Sequence, residues 1–144
     1  MNDERTLMEK ALKEVVVPKL RKLGFKGSLP HFRRLRENQL DLLSFQYYSA
    51  GGSFVVEIAK APPEGITTSW GKFIPPDKAN VTWVNERLRL GSEPEKGVND
   101  YWFEFGRLSY EPEKKPASYE HLLNVAQEVA ELLDRQAEPW WRTR

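Results

Sequence analysis

The residues best suited to chemistry share one face of a predicted antiparallel sheet. Strand alternation brings together His31, Arg33, Ser44, Gln46, Tyr48 and Glu57. A glutamate beside a histidine and an arginine can shift a pKa and carry out acid–base chemistry. The alternative is a solvated face, because an antiparallel sheet with helices on one side leaves its other side in water. We favour a solvated or partner-covering face, since Ser44 lies mid-strand without a nucleophile elbow or a triad pattern around it.

The residue types disfavour most other reaction classes. The absence of cysteine excludes thiolate metal sites, cysteine nucleophiles and disulfides. The only histidines, His31 and His121, lie far apart in the sequence, and the acidic pairs fall in predicted turns or on helix faces, where solvation explains them. There is no GxGxxG, Walker or HExxH motif. We therefore predict no catalytic residue, no metal and no cofactor, and the sequence favours a protein that is not an enzyme.

Charge is distributed unevenly along the chain despite a net charge of only +1. Six more basic than acidic residues lie within residues 1–36, and the remainder is acidic. The basic cluster Arg33, Arg34 and Arg36 adjoins Phe32, a combination that can bind nucleic acid. Alternation, however, separates Arg33 from Arg34 and places Arg34 opposite Asp41. With a pI near 7.9, nucleic-acid binding is disfavoured, and we expect the asymmetry to join the N-terminal helix to the rest of the fold.

The five tryptophans are the second notable feature. Trp83 and Trp102 lie in predicted strands, where we expect them to be buried in the core. Trp70 lies in a proline-rich loop, so it is hard to bury locally and is a candidate contact residue for a partner. Trp140 and Trp141 follow Pro139 in a short tail. We expect at least one of them to pack, on the N-terminal helix or an exposed sheet edge, because two exposed tryptophans would leave a large apolar area in water.

The elements that position these residues begin with a helix over residues 3–23. Its apolar stripe recurs at spacings of three and four, and Gly24 is suited to cap its end. Pro18 after three valines predicts a kink, or a break near Val17. Residues 30–60 are typical of a three-stranded meander in which Leu35 pairs with Leu40. Gly51-Gly52 predicts a two-residue hairpin loop.

That loop pairs Tyr48 with Val55 and Phe45 with Ile58, and it divides the two strands into two faces. One face is predicted to lie in the core and holds Leu43, Phe45, Tyr47, Phe54, Val56 and Ile58. The other is predicted to be a mixed polar surface and holds Leu42, Ser44, Gln46, Tyr48, Val55 and Glu57.

The second half of the chain is less regular. Residues 61–80 are predicted to be a long surface loop with a short strand near Ile66–Trp70, because prolines and glycines interrupt it. Residues 81–90 fit either strand or helix, and 100–106 fit a strand. A helix is predicted from Ser118 to Gln136, ended by Glu138-Pro139. The sum is a single α+β domain over residues 1–144, with an antiparallel sheet of about five strands and both helices on one face.

Short motifs recur in an order found in a known family. They are Leu-Gly-Phe at 23–25, His-Phe-Arg-Arg at 31–34, Ser-Phe-Gln at 44–46, Phe-Val-Val-Glu-Ile at 54–58, Arg-Leu-Arg-Leu-Gly at 87–91 and Tyr-Trp-Phe at 101–103. This pattern resembles the bacterial domain of unknown function DUF4304 over about Leu7 to Leu133. The resemblance implies a small bacterial cytoplasmic domain without an established activity or site. The chain departs from the family pattern in the proline-rich loop 61–80, and in having Phe103 as the second aromatic of a Trp-Trp pair.

Together these features predict a non-enzymatic protein-binding module. It would present the open sheet face and the Trp70 loop to a protein partner or to a second copy of itself. The alternative is a small-ligand protein or enzyme with a pocket on the polar face, using His31, Arg33, Gln46 and Glu57, with the loop from Pro62 to Pro76 as a lid. No run of residues is apolar enough for a membrane span, and we expect a cytoplasmic protein.

Overall fold

The computed structural model describes residues 3–143. The helices are α1 (Asp3–Lys22), α2 (Tyr119–Leu132) and α3 (Glu138–Trp141), with a π-helical turn, Leu133–Ala137, joining the last two. The strands are β1 (Lys26–Ser28), β2 (His31–Leu35), β3 (Leu40–Tyr47), β4 (Ser53–Ala61), β5 (Ile66–Thr67), β6 (Phe73–Ile74), β7 (Arg87–Arg89) and β8 (Phe103–Glu104).

Six of these strands form one antiparallel sheet. Its order is β1-β2-β3-β4-β7, and β8 pairs with the beginning of β4. The face that we call the inner face packs on α1 and α2, and the main core lies between them. The predicted α+β architecture is therefore confirmed, with an N-terminal helix, an antiparallel sheet and a C-terminal helix.

Helix α1 runs through Pro18 as one helix, so the predicted break near Val17 is wrong. Proline removes one backbone hydrogen bond, but the apolar stripe on both sides of it, including Leu12, Val16 and Leu20, is fully buried. Packing of this stripe offsets the loss and holds the helix together. The predicted cap is confirmed: Gly24 has φ 97°, and the Phe25 N–H donates to the Leu20 carbonyl at 2.9 Å.

The predicted two-residue loop between β3 and β4 is wrong. Tyr47 pairs with Phe54 and Phe45 with Val56, so four residues, 49–52, form the turn. The reason lies outside the hairpin: the Gly52 carbonyl accepts a hydrogen bond from the Phe105 N–H, and a Cβ on Gly52 would lie 2.8 Å from the Gly106 carbonyl oxygen. The wider turn accommodates the chain around β8. Because the register moves by two residues, both predicted faces keep their members.

The other sheet face, which we call the outer face, is not open along its whole length. A segment that we call the flap, residues 62–84, folds over one end of it. The flap contributes Ile66, Ile74, Ala79 and Val81 to a second apolar cluster with Leu40, Leu42, Ala59 and Ala61. The prediction of a wet face is therefore wrong for this half, because the outward side chains of the strands there are apolar and the flap buries them. The short strand predicted over 66–70 is only Ile66–Thr67, paired with β6.

The segment after the flap also differs from expectation. Residues 81–83 form a 3₁₀ turn and residues 87–89 form β7, while the strand expected over 100–106 is limited to Phe103–Glu104. Trp83 and Trp102 are 37% and 38% exposed, so their assignment to the core is wrong. Their strands are too short, or absent, at these positions to hold them in the inner layer.

The C-terminal helix begins as predicted, with the Ser118 hydroxyl accepting from the His121 N–H. Pro139 does not end it. The π-helical turn leads directly into α3, and Pro139 lies in the first turn of α3, where a missing N–H costs nothing. Trp141 is fully buried, which confirms that the tail packs. It contacts Phe25, just past α1, with ring centroids 4.9 Å apart, rather than an exposed edge.

A buried ionic cluster fastens this tail to the sheet. Asp41 is fully buried and accepts from Arg34 at 2.7 Å and Arg36 at 2.8 Å. Arg34 also donates to Glu138 at 2.6 Å, and Arg36 donates to the Trp141 carbonyl at 2.9 Å. The predicted pairing of Arg34 with Asp41 is confirmed, and it explains why part of the basic N-terminal cluster serves the fold.

Candidate binding surface

Antiparallel pairing aligns five polar residues into one row across the outer face. This polar row is Ser28, His31, Ser44, Glu57 and Arg89, one residue from each of β1, β2, β3, β4 and β7. Three of the predicted site residues, His31, Ser44 and Glu57, belong to it. The predicted pairing of Leu35 with Leu40 places His31 opposite Ser44, and the structure confirms this register.

At one end of the row, His31 Nδ1 and Ser44 Oγ form a hydrogen bond of 2.7 Å. Ser44 is buried, while His31 is partly open to solvent. Partial burial lowers the pKa of His31, because desolvation disfavours the imidazolium form. The neutral ring is thus favoured at neutral pH.

At the other end, Glu57 lies between two arginines that the candidate set did not include. Its carboxylate is 3.7 Å from Arg87 Nε and 4.0 Å from Arg89 Nε. The Arg-Leu-Arg alternation at 87–89 could have predicted them, since alternate residues of a strand lie on the same face. Ser44 separates Glu57 from His31 in the row, so the acid and the imidazole belong to different local networks.

One side of the polar row carries an exposed aromatic pair. The Tyr48 and Trp102 rings meet edge to face at 5.7 Å. Trp102 donates to Asp100, which also binds Arg89, and the Arg89 guanidinium lies 5.6 Å from the Trp102 ring centre. Tyr48 was among the predicted site residues, whereas Trp102 was assigned to the core and Asp100 was not singled out.

The flap on the other side carries a second aromatic group. Trp70 contacts Trp83 with ring centroids 6.0 Å apart, and Phe73 is also exposed. Trp70 is 68% exposed, the highest value among the large apolar side chains of residues 3–143. The structure thus places Trp70 on the flap rather than beside Tyr48.

The two remaining predicted residues lie near the row. Gln46 is exposed on β3 opposite the buried Val55. Arg33 is half-buried on β2, between Lys26 and Leu42 in the pairing. Neither side chain has a hydrogen bond or an ion pair within the described residues.

Membership of a known family follows from the sequence match. A family model described as a domain of unknown function (DUF4304) matches residues 16–143. The chain belongs to this family. The resemblance seen in the short motifs is thereby confirmed for the family itself. No curated protein and no solved structure matches the chain.

This DUF4304 chain has a cleft beside β7. It measures about 360 Å³ and is lined by Glu57, Asn85, Arg87, Leu88, Arg89, Ser92, Pro94 and Asn99. Of His31, Arg33, Gln46 and Glu57, which were expected to line a ligand pocket, only Glu57 lines this cleft.

Residues 3–143 contain no group of three or more acidic or histidine side chains placed to hold a metal ion. None of the helices in that range is long and apolar enough to cross a membrane.

Proposed function

We propose that the chain is a non-enzymatic protein-binding module of the bacterial cytoplasm. Its docking surface is the exposed part of the outer face together with Trp70 on the flap. The observation that carries this proposal is the pair of exposed aromatic groups, Tyr48 with Trp102 and Trp70 with Trp83, on two sides of the polar row.

The exposed rings favour a docking surface because their exposure costs free energy. Leaving apolar surface in water costs about 25 cal/mol per Å². Tyrosine and tryptophan are also enriched among the residues that dominate binding energies, since a large apolar ring carries a polar group that can hydrogen-bond. A partner that covers these rings regains the unused hydrophobic free energy.

The pairing within the polar row supports binding rather than catalysis. His31 is hydrogen-bonded to Ser44, and Glu57 lies between two arginines. An acid–base mechanism needs proton-transfer groups within hydrogen-bond reach of one reacting atom. Here the acid and the imidazole are two strands apart, and a row of paired polar groups is suited to fixing the orientation of a partner.

The test uses a photo-crosslinking amino acid at Gln46, which is exposed between the polar row and Tyr48. Crosslinked species from native cells are identified by mass spectrometry, and the purified chain is sized over a range of concentrations to detect self-association. We expect one reproducible partner, or a dimer, whose yield falls in the Trp70→Ala and Trp102→Ala variants.

Tyr110→Ala is the matched control, because Tyr110 is 66% exposed but lies in the turn after β8. Its crosslinking yield should equal that of the unmodified chain. A chain that stays monomeric and yields no crosslinked partner would overturn the proposal. Equal losses in all three variants would also overturn it, since the effect would then not be specific to the docking surface.

A further inference from the structure

The cleft beside β7 gathers polar groups that have few hydrogen-bond partners within the described part of the chain. The side chain of Glu57 is only 14% exposed, yet it accepts no hydrogen bond from residues 3–143, and its nearest cations lie at 3.7 and 4.0 Å. Asn85 and Asn99 also line the cleft and have no hydrogen-bond partner in the described part of the chain. The carboxylate oxygens still reach the solvent of the cleft, so Glu57 has acceptor capacity that a ligand there could use.

Arg87 provides the opposite charge next to Glu57. Its side chain is 40% exposed, and its one hydrogen bond is a long one of 3.4 Å to the Val81 carbonyl. A guanidinium has five donors, so most of those on Arg87 are available to a ligand. The cleft therefore offers an acceptor anion and a donor cation side by side, separated by a gap too long for a hydrogen bond.

We propose that this cleft binds a free α-amino acid as its zwitterion. The ammonium group donates to the Glu57 carboxylate, and the ligand carboxylate accepts from Arg87. An α-amino acid carries its ammonium and carboxylate groups on one carbon, Cα, which suits the side-by-side placement of Glu57 and Arg87. The cleft shares Glu57 and Arg89 with the polar row, and the proposal extends the proposed function to a small molecule.

Charge complementarity selects against simpler ions. A lone anion attracted to the arginines would meet the Glu57 carboxylate, and a lone cation attracted to Glu57 would meet two arginines. Only a ligand with both charges satisfies both sides. The cleft volume of about 360 Å³ is near the lower end of the range for small-molecule sites, which suits a ligand of this size.

The test titrates the purified chain with each common L-amino acid and follows backbone amide shifts by NMR. We expect at least one amino acid to bind, with shifts concentrated at Leu88, Ser92 and Asn99. The N-acetyl and methyl-ester derivatives of that amino acid each lack one charge. Each should bind about tenfold or more weakly, the loss expected for one charge-assisted hydrogen bond.

The Glu57→Gln and Arg87→Gln variants should each weaken binding by a similar factor. Arg33→Gln is the matched control, since Arg33 is on the same sheet face but outside the cleft, and Trp70→Ala should also leave affinity unchanged. Absence of binding by every amino acid overturns the proposal, as does equal binding of acetate or undiminished binding by both cleft variants. Crosslinking at Gln46 is measured in the chain with the cleft residues unchanged and without added amino acid, so its outcome can be told apart from that of the titration.

Discussion

Removing the Trp141 ring should destabilise the fold more than its place near the chain end suggests. The side chain is fully buried. It packs on Phe25, lies 5.3 Å from the Arg34 guanidinium, and donates through Nε1 to the Ala59 carbonyl at 3.1 Å. Trp141→Ala leaves a cavity between the sheet and the tail and leaves the Ala59 carbonyl without that donor.

The expected loss in the free energy of unfolding is about 3–5 kcal/mol, the usual cost of deleting a buried tryptophan ring. For a chain of 144 residues this corresponds to a fall in Tm of about 10–15 °C. Trp141→Phe keeps most of the ring but removes the hydrogen bond, so it should lose less. Trp140→Ala is the comparison, because the Trp140 ring is only partly buried at the margin of the core, with the Lys60 ammonium 4.5 Å from the ring centre.

Urea and thermal unfolding are followed by far-UV circular dichroism, which does not depend on tryptophan emission. Trp141→Ala should shift the urea midpoint strongly and Trp140→Ala only slightly. A loss below about 1 kcal/mol for Trp141→Ala would refute the reasoning, because the burial of this ring would then add little to the stability of the fold.

Three further predictions address other parts of the chain. An NMR titration of His31 should give a pKa below 6.5, because burial disfavours its charged form. The unfolded chain then binds more protons than the folded chain, so the contribution of His31 to the free energy of unfolding is lost as the pH falls from 6.5 through the lowered pKa. A pKa at or above 6.5 would contradict the burial argument. Hydrogen bonding to Glu128 raises the pKa of Tyr101 to about 12, so Glu128→Gln should lower that pKa. The pKa is measured by spectrophotometric titration, with Tyr101→Phe identifying the signal of this residue. An unchanged pKa in Glu128→Gln would show that the hydrogen bond is not the cause. Gly52→Ala should lower urea stability by more than Gly71→Ala, because both glycines have positive φ but only at Gly52 would the new Cβ meet backbone; equal losses would contradict this.

Short-range patterns in the sequence predicted the elements and faces well, because they depend on neighbours within a few residues. The period-two pattern in β3 and β4 assigned Phe45, Val56 and Ile58 to the core, and all three are buried. The assignment of faces stayed correct although the predicted turn length was wrong, because the register differed by two residues, an even number. An odd error would have placed the apolar side chains of one strand on the outer face.

Long-range features could not be predicted in the same way. The length of the β3–β4 turn depends on β8, some fifty residues further along the chain, through the contact between Gly52 and Gly106. Coverage of Leu42 and Ala59 depends on how the flap folds, which the prolines of 61–80 do not specify. Burial of Trp141 depends on Phe25 and Ala59, which lie far from it in the sequence.

The candidate site likewise has a part that short-range patterns predicted and a part that depends on long-range pairing. His31, Ser44 and Glu57 were grouped correctly because they share a face of adjacent strands, which alternation determines. Arg87 and Arg89 lie beside Glu57 only because β7 pairs with β4. The flap separates these two strands in the sequence, so the pattern within either strand does not predict that they pair. That pairing gives Glu57 two cationic neighbours in place of the imidazole. Glu57 is thus part of a charged cluster rather than of an acid–base pair with His31, and our proposal of binding rather than catalysis rests on this arrangement.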